Sequence, residues 1–259
     1  GLALASITGI VVIGGLKRIA EVASYLVPFM GSIYFGAMLI AIFLNLELVV
    51  PAFKLIFIDA FNGTAIAGGT FIGVLIYGVR RGAFSNEAGM GTESLVHGVA
   101  KVSNPVKQGL VAMTGPIFDT LIICTATALI ILISGVWETS TSQGVTLTSE
   151  AFNLLLGDLG GFILFACVIC FGLSTIFTYS YYGATCARFI FGSFGMNFYI
   201  YLYIIGIFIY SIVPIDIAIN IADGAFAMMA IPTLISALWL APKVMQESKN
   251  YFKLINNIS

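Results

Sequence analysis

The sequence predicts an all-α polytopic membrane protein with about seven transmembrane helices. Three observations carry that prediction. Charged residues make up 9% of the 259, where a soluble domain carries roughly a quarter. The mean hydropathy is +1.06, and so few charges cannot cover a water-facing surface. Apolar runs recur at a length on the order of 20 residues, enough to span hydrocarbon. They do not alternate as barrel strands do, so helices, which satisfy their own backbone groups, are the expected form.

Taken in order, the spans are Leu2–Leu16, Leu26–Leu46, Thr64–Val79, Leu110–Val136, Leu159–Tyr182, Phe189–Val213 and Ile215–Leu240. Pro28 and Pro232 fall inside the second and last and are expected to kink them. Between the second and third, Pro51–Asn62 places Phe53, Ile56, Phe57, Ala60 and Phe61 on one side, the pattern of a helix lying at the membrane surface. Tyr199, Tyr201, Tyr203 and Tyr210 in the sixth span read as packing or interface residues.

Basic residues set the orientation. When loops are taken alternately, Lys17, Arg18, Arg80, Arg81, Lys101, Lys107, Arg188, Lys243, Lys249 and Lys253 fall on one side and only Lys54 on the other. The first side is therefore expected to be cytoplasmic, together with the C-terminus, in a multi-pass protein of the plasma membrane. The outer loops carry Glu47, Asp59, Glu138, Glu150, Asp158 and Asp216. Scattered cations provide no face for nucleic acid. A chain that starts with Gly1 inside an apolar run is expected to be the C-terminal part of a longer protein.

Function classes narrow quickly. His97 is the single histidine and Cys124, Cys167, Cys170 and Cys186 lie in or beside apolar spans. Neither a metal cluster nor an enzyme's usual acid–base group is expected from them, and small packed side chains are the plain reading of the cysteines. A channel, the alternative to a carrier, needs a charged ring or a continuous polar lining, and no ring of acids lies at one depth.

Three places break the apolar pattern. The third span carries Gly68, Gly69 and Gly73 inside it, and each glycine weakens a helix interior by roughly 1 kcal/mol against Ala. Two readings are open: close packing through small residues, or an unwound centre exposing backbone amides to an anionic group near Thr70. In the fifth span Phe171, Ser174, Thr175, Thr178 and Tyr182 share one helical face. Its hydroxyls either bond their own backbone one turn back or, with the Phe171 carbonyl, provide hard oxygen ligands for a small cation. Asp119 and Asp223 are acids within spans, where a charge costs at least ~2.5 kcal/mol. They are read as packing anchors or as coupling-ion or gate residues. The strip Gly78–Gly91, GVRRGAFSNEAGMG, closes the third span with Arg80, Arg81 and Glu87 as ion-pair candidates.

That strip, with GGLKRIAEVASYLVPFM, NPVKQGLVAM, FDTLIICTATALIILISG, FGLSTIFTYSYYG and IADGAFAMMAIPTL, resembles the alanine or glycine:cation (sodium) symporter family from about Gly14 to Ala241. The resemblance implies a leucine-transporter-like fold of two inverted five-helix repeats. Residues 1–46 would hold the last two helices of the first repeat and 64–241 the second, within one transporter domain over 1–259. It implies symport of a small neutral amino acid, alanine or glycine, with sodium. Gly68, Gly69, Thr70, Phe71 and Tyr179 would then meet the substrate, and Phe171, Ser174 and Thr175 the sodium ion. Arg80, Arg81 and Glu87 would act at a cytoplasmic gate. The chain departs from the family pattern where Gly-Trp usually precedes Ser-Tyr-Tyr-Gly and Thr178–Tyr179 stand instead, and Ala184 replaces an acid. Phe226–Ala227 stand for Asn-Gly, and Pro232–Thr233–Leu234 for Pro-Asn-Leu. The Tyr179 exchange bears on substrate size.

Overall fold

The computed structural model describes residues 1–61, 70–87 and 89–256, which form helices joined by short loops, with no strand among them. In chain order the helices are α1 (Leu2–Val12), α2 (Gly15–Leu44), α3 (Leu46–Ala60), α4 (Thr70–Asn86), α5 (Thr92–His97) and α6 (Pro105–Pro116). A π-helical segment, Ile117–Cys124, joins α6 to α7 (Thr125–Ser134). There follow α8 (Val136–Thr139), α9 (Val145–Leu156), α10 (Asp158–Tyr210) and α11 (Ile215–Asn256). Among the described residues, four stretches are long and apolar enough to cross a membrane: Arg18–Leu44, Pro105–Ser134, Asp158–Tyr210 and Ile217–Ile255.

Several boundaries differ from the sequence expectation. The first span ends at Val12, because Gly15 takes a left-handed backbone, φ +77°. The second begins at Gly15, so Lys17, Arg18 and Glu21 lie inside a helix. The surface helix starts at Leu46 and runs through Pro51. Val145–Leu156, expected as loop, is helical. The fifth and sixth spans are continuous through residues 183–188 and break instead at Gly192, φ 69°, ψ −159°, a conformation essentially reserved for glycine. Arg188 drew the expected boundary to itself, yet an exposed arginine on a helix can carry its charge outward on a long stem. Beyond Gly192 the chain turns back: Tyr199 lies against Gly183, and the Tyr203 hydroxyl donates to the Ile176 carbonyl at 2.8 Å. These nested pairs make α10 a helical hairpin.

The chain divides into two compact units. The first comprises Gly1–Val74 and Ile122–Ile212. Its core draws on α2, α7, α9 and α10 through buried Ala37, Met38, Ala41, Ala126, Ile130, Ala151, Phe152 and Leu164. Four of these are alanines, which let helix backbones approach closely where no hydrophobic force separates helix from lipid. Tyr34 stacks on Phe152 with ring centroids 5.8 Å apart and shares a 2.9 Å hydrogen bond with Thr127.

The second unit comprises Leu75–Leu121 and Val213–Ser259. Among the described residues of α11, Asp223 is the one buried side chain, while Ile217, Ile221, Met228, Leu234 and Leu238 are exposed. Apolar surface on this scale needs lipid to cover it, and the protein is a membrane-embedded, multi-pass helical protein.

Candidate functional site

In the second unit a polar cluster lies on α4, the π-helical segment and α11. Arg80, Phe84 and, one residue along, Arg81 and Ser85 repeat at the spacing that shares a helical face. Arg80 Nη2 lies 2.5 Å from Asp223 Oδ2, and Arg81 Nη2 3.8 Å from the same atom. Arg81 also sits over the Tyr77 ring, 5.1 Å from its centre. One turn further along each helix, Phe84 meets Phe226 edge to face at 4.7 Å. An ion pair and an aromatic pair thus join α4 to α11.

The last turn of α4 bonds to the π-helical segment. Ser85 Oγ donates to Asp119 Oδ2 at 2.5 Å. The Asn86 amide straddles the Thr120 hydroxyl, with its nitrogen at 2.7 Å and its oxygen at 3.0 Å, while the same nitrogen donates to the Gly82 carbonyl at 2.9 Å. Asp119 and Thr120 are adjacent in sequence, and a π-helical turn, being wider, narrows the angle between successive side chains. That is how both reach α4.

After Asn86 the backbone leaves the helix. Glu87 has φ 54°, and Gly89 and Gly91 follow in the left-handed region at 79° and 87°. A side chain at Gly91 would also meet Thr233 Oγ1 at 2.8 Å. The Glu93 carboxylate accepts from the Gly89 amide at 3.2 Å, fastening the loop. Glu87 stands past the helix end, out of register with the arginines. The acid that both arginines meet is Asp223.

The hydroxyl face of α10 lies in the first unit. Ser174 is buried and its Oγ donates to the Phe171 carbonyl at 2.9 Å. Thr178 Oγ1 donates to the Ser174 carbonyl at 2.9 Å. Of the two readings left open, backbone bonding describes these two hydroxyls as they stand. Thr175 is exposed on the adjoining side of the helix. The Phe171 ring meets Tyr34 edge-on and lines a cavity of about 230 Å³ with Thr127, Thr148 and Leu164. Tyr179 packs on Tyr182 with centroids 5.3 Å apart. Gly68 and Gly69 lie outside the described residues; Thr70 and Phe71 open α4, with their side chains outside the description.

The remaining candidates have structural partners. His97 Nδ1 and Gln108 Nε2 lie 2.7 Å apart. None of the four cysteines, Cys124, Cys167, Cys170 and Cys186, is in a disulfide. Among the described residues no group of three or more His, Cys, Asp or Glu side chains is placed to hold a metal ion. Sequence reasoning singled out Asp119, Asp223, Arg80 and Arg81 but not their pairing, and it passed over Ser85, Asn86 and Thr120 as ligands. Ser85 and Asn86 sit next to each other in the strip, and that adjacency was the available signal.

Comparison with known proteins places this architecture. The chain is similar to the sodium/alanine symporter AgcS of Methanococcus maripaludis, 35% identical over 260 residues that cover 99% of the chain and 57% of that protein. It is similar to the uncharacterized transporter YflA of Bacillus subtilis, 37% identical over 251 residues, 94% of the chain and 53% of the relative. It also resembles the probable sodium/glutamine symporter GlnT of Bacillus subtilis, 34% identical over 252 residues, 97% and 53% of the two chains. The chain therefore spans little more than half the length of these relatives. The family profile that it matches is that of transporters, not of an enzyme class. The match extends over residues 1–257, and on it the chain belongs to the sodium:alanine symporter family.

Proposed function

We propose that this chain forms the larger part of a sodium-coupled symporter that carries small neutral amino acids, alanine or glycine, into the cell. The observation that supports it most is the 35% identity to a named sodium/alanine symporter over 99% of the chain. In this reading residues 1–46 close a first repeat, 64–241 form a second inverted one, and the C-terminus faces the cytoplasm of a plasma-membrane protein. Backbone near Gly68, Gly69 and Thr70 meets the substrate carboxylate, and Phe71 and Tyr179 bound its side chain. A tyrosine where the family usually has tryptophan bears on the choice between alanine and a longer substrate such as the glutamine in the name of one relative.

Sodium is held by Ser174, Thr175 and the Phe171 carbonyl. Ser174 Oγ and that carbonyl stand 2.9 Å apart, so a hydroxyl rotation presents two oxygens to one ion. Binding of sodium then favours the conformation that binds substrate, and the coupling is reciprocal. Arg80 and Arg81 act as a gate whose latch is Asp223.

The test is alanine uptake by the full-length protein in proteoliposomes, with and without a sodium gradient. Wild-type uptake is expected to follow the gradient. Thr175→Ala is expected to raise the half-saturating sodium concentration roughly tenfold, since a ligand oxygen is removed. Uptake indifferent to sodium would refute the function. An unshifted sodium dependence in Thr175→Ala would refute the site alone.

A further inference from the structure

We infer that Ser85, Asn86, Asp119 and Thr120 form a binding site for a monovalent cation, distinct from the one proposed on α10. The two intramembrane acids of the second unit are treated differently by their surroundings. Asp223 is met by two guanidinium groups, at 2.5 and 3.8 Å. Asp119 is met by hydroxyls, Ser85 Oγ at 2.5 Å and Thr120 Oγ1 at 3.5 Å. Among the described residues, no basic side chain makes an ion pair with it. The arginines nearest along α4, Arg80 and Arg81, are drawn to Asp223.

Depth makes this difference matter. Asp119 stands at the centre of the thirty-residue apolar stretch Pro105–Ser134, about 21 Å from either end at the rise of a helix. A carboxylate there needs a counter-charge or water. Hydroxyl donors relieve part of its desolvation but bring no charge, and a bound cation completes the balance.

The donor set fits such an ion. Four side-chain oxygens from two helical segments are linked in a chain of hydrogen bonds: Ser85 Oγ to Asp119 Oδ2 at 2.5 Å, Thr120 Oγ1 to the same Asp119 oxygen at 3.5 Å, and Thr120 Oγ1 to Asn86 Oδ1 at 3.0 Å. The Asn86 nitrogen donates to the Gly82 carbonyl and to Thr120 Oγ1, while its Oδ1 accepts from the Thr120 hydroxyl and is the oxygen it can offer an ion. The two hydroxyls can swing their hydrogens away and offer lone pairs. Oxygen ligands select a hard cation, and a single carboxylate matches a single positive charge. A divalent ion calls for further acids, which the described residues do not supply. Two structural irregularities converge here, the π-helical segment and the left-handed Glu87 that ends α4. Segments of π-helix frequently mark functional sites. The choice of sodium among monovalent ions rests on the symport reading; the site itself does not.

The experiment is equilibrium binding of ²²Na⁺ to the purified full-length protein, with choline replacing sodium and monodispersity checked by size exclusion. Asp119→Asn is expected to bind one sodium fewer per protein than wild type. Thr120→Val is expected to keep the stoichiometry and weaken one class of site by roughly tenfold. Asp223→Asn, which removes the acid of the other cluster, is expected to keep the stoichiometry, whatever it does to affinity through the gate. Wild-type stoichiometry in Asp119→Asn, or loss of the same equivalent in Asp223→Asn, would overturn the assignment. Should Asp119→Asn fail to fold, Thr120→Val decides, and an unshifted isotherm overturns it. Sodium-driven uptake with unchanged ²²Na⁺ binding in Asp119→Asn sinks this site and leaves the symport reading. Sodium-independent uptake with one equivalent lost does the reverse.

Discussion

The two units of this chain solve the problem of holding helices together in opposite ways. In the first, buried alanines at 37, 41, 126 and 151 let helices close on Met38, Ile130 and Phe152, and this core cluster is built of apolar side chains and Tyr34. In the second, the buried side chain that α11 contributes is a carboxylate, and α4 is fastened to its neighbours by Arg80, Arg81, Ser85 and Asn86. Apolar packing of the first kind is shape-specific and has one good arrangement. Polar contacts of the second kind can be exchanged for water, an ion or another residue, so they suit a part that changes state. The difference teaches that close apolar packing and exchangeable polar contacts are divided between separate stretches of one sequence.

Volume provides the sharpest way to break the comparison. Ala151→Leu, at a fully buried position of the first unit, is expected to cost up to about 3 kcal/mol through overpacking. Ala227→Leu, exposed on α11, is expected to stay within about 0.5 kcal/mol. Thermal unfolding of the two variants in the same detergent measures both, and equal losses would dissolve the distinction.

Charge gives the next effect. Asp223→Asn leaves both guanidinium groups without their acid. The acid is buried while Arg80 and Arg81 are half exposed, so the cost falls between the surface and buried limits, about 2 kcal/mol. The Phe84–Phe226 contact persists in that variant, and Phe226→Asn should be the milder of the two by thermal unfolding. A larger loss from Phe226→Asn would make the second unit an apolar assembly after all.

The smallest effect is a pH response outside both cores. Hydrogen bonds from Ser140 and Ser142 hold the Glu150 carboxyl below its ordinary range. A carboxyl depressed in the folded state adds stability above its unfolded pKa, roughly 4.3, and loses it as pH falls through the folded value. The melting temperature of wild type should therefore drop slightly more than that of Glu150→Gln between pH 6 and acid conditions near pH 4, about the carboxylate range. A parallel decline in both proteins would remove Glu150 from the account.

The fold class was legible because the membrane requirement is written in composition. The irregularities were partly legible: glycine runs, the GVRRGAFSNEAGMG strip and two acids in apolar surroundings all announce themselves by cost. What was not legible is who meets whom. Asp223 lies well over a hundred residues from Arg80, and no local pattern pairs them against nearby Glu87. The turn at Gly192 was hidden for a related reason. Glycine is common in membrane helices, so one within an apolar run gives no sign that its backbone reverses. Val145–Leu156 was taken for loop because Glu150 and its flanking serines and threonines mimic a solvent segment, although Ala151 and Phe152 are fully buried.

One dimension of α11 has a mechanical consequence. At 42 residues it is about 63 Å long, roughly twice the hydrocarbon thickness. A large part of it must therefore stand beyond the lipid or bend at Pro232 and Pro242, where the missing amides weaken the backbone ladder. Measured from Pro232, the far end at Asn256 lies about 36 Å away, so a pivot of about 10° there sweeps it through about 6 Å. A pivot at Pro232 would thus turn the helix that carries Asp223 into a lever, moving its far end by about one side-chain width.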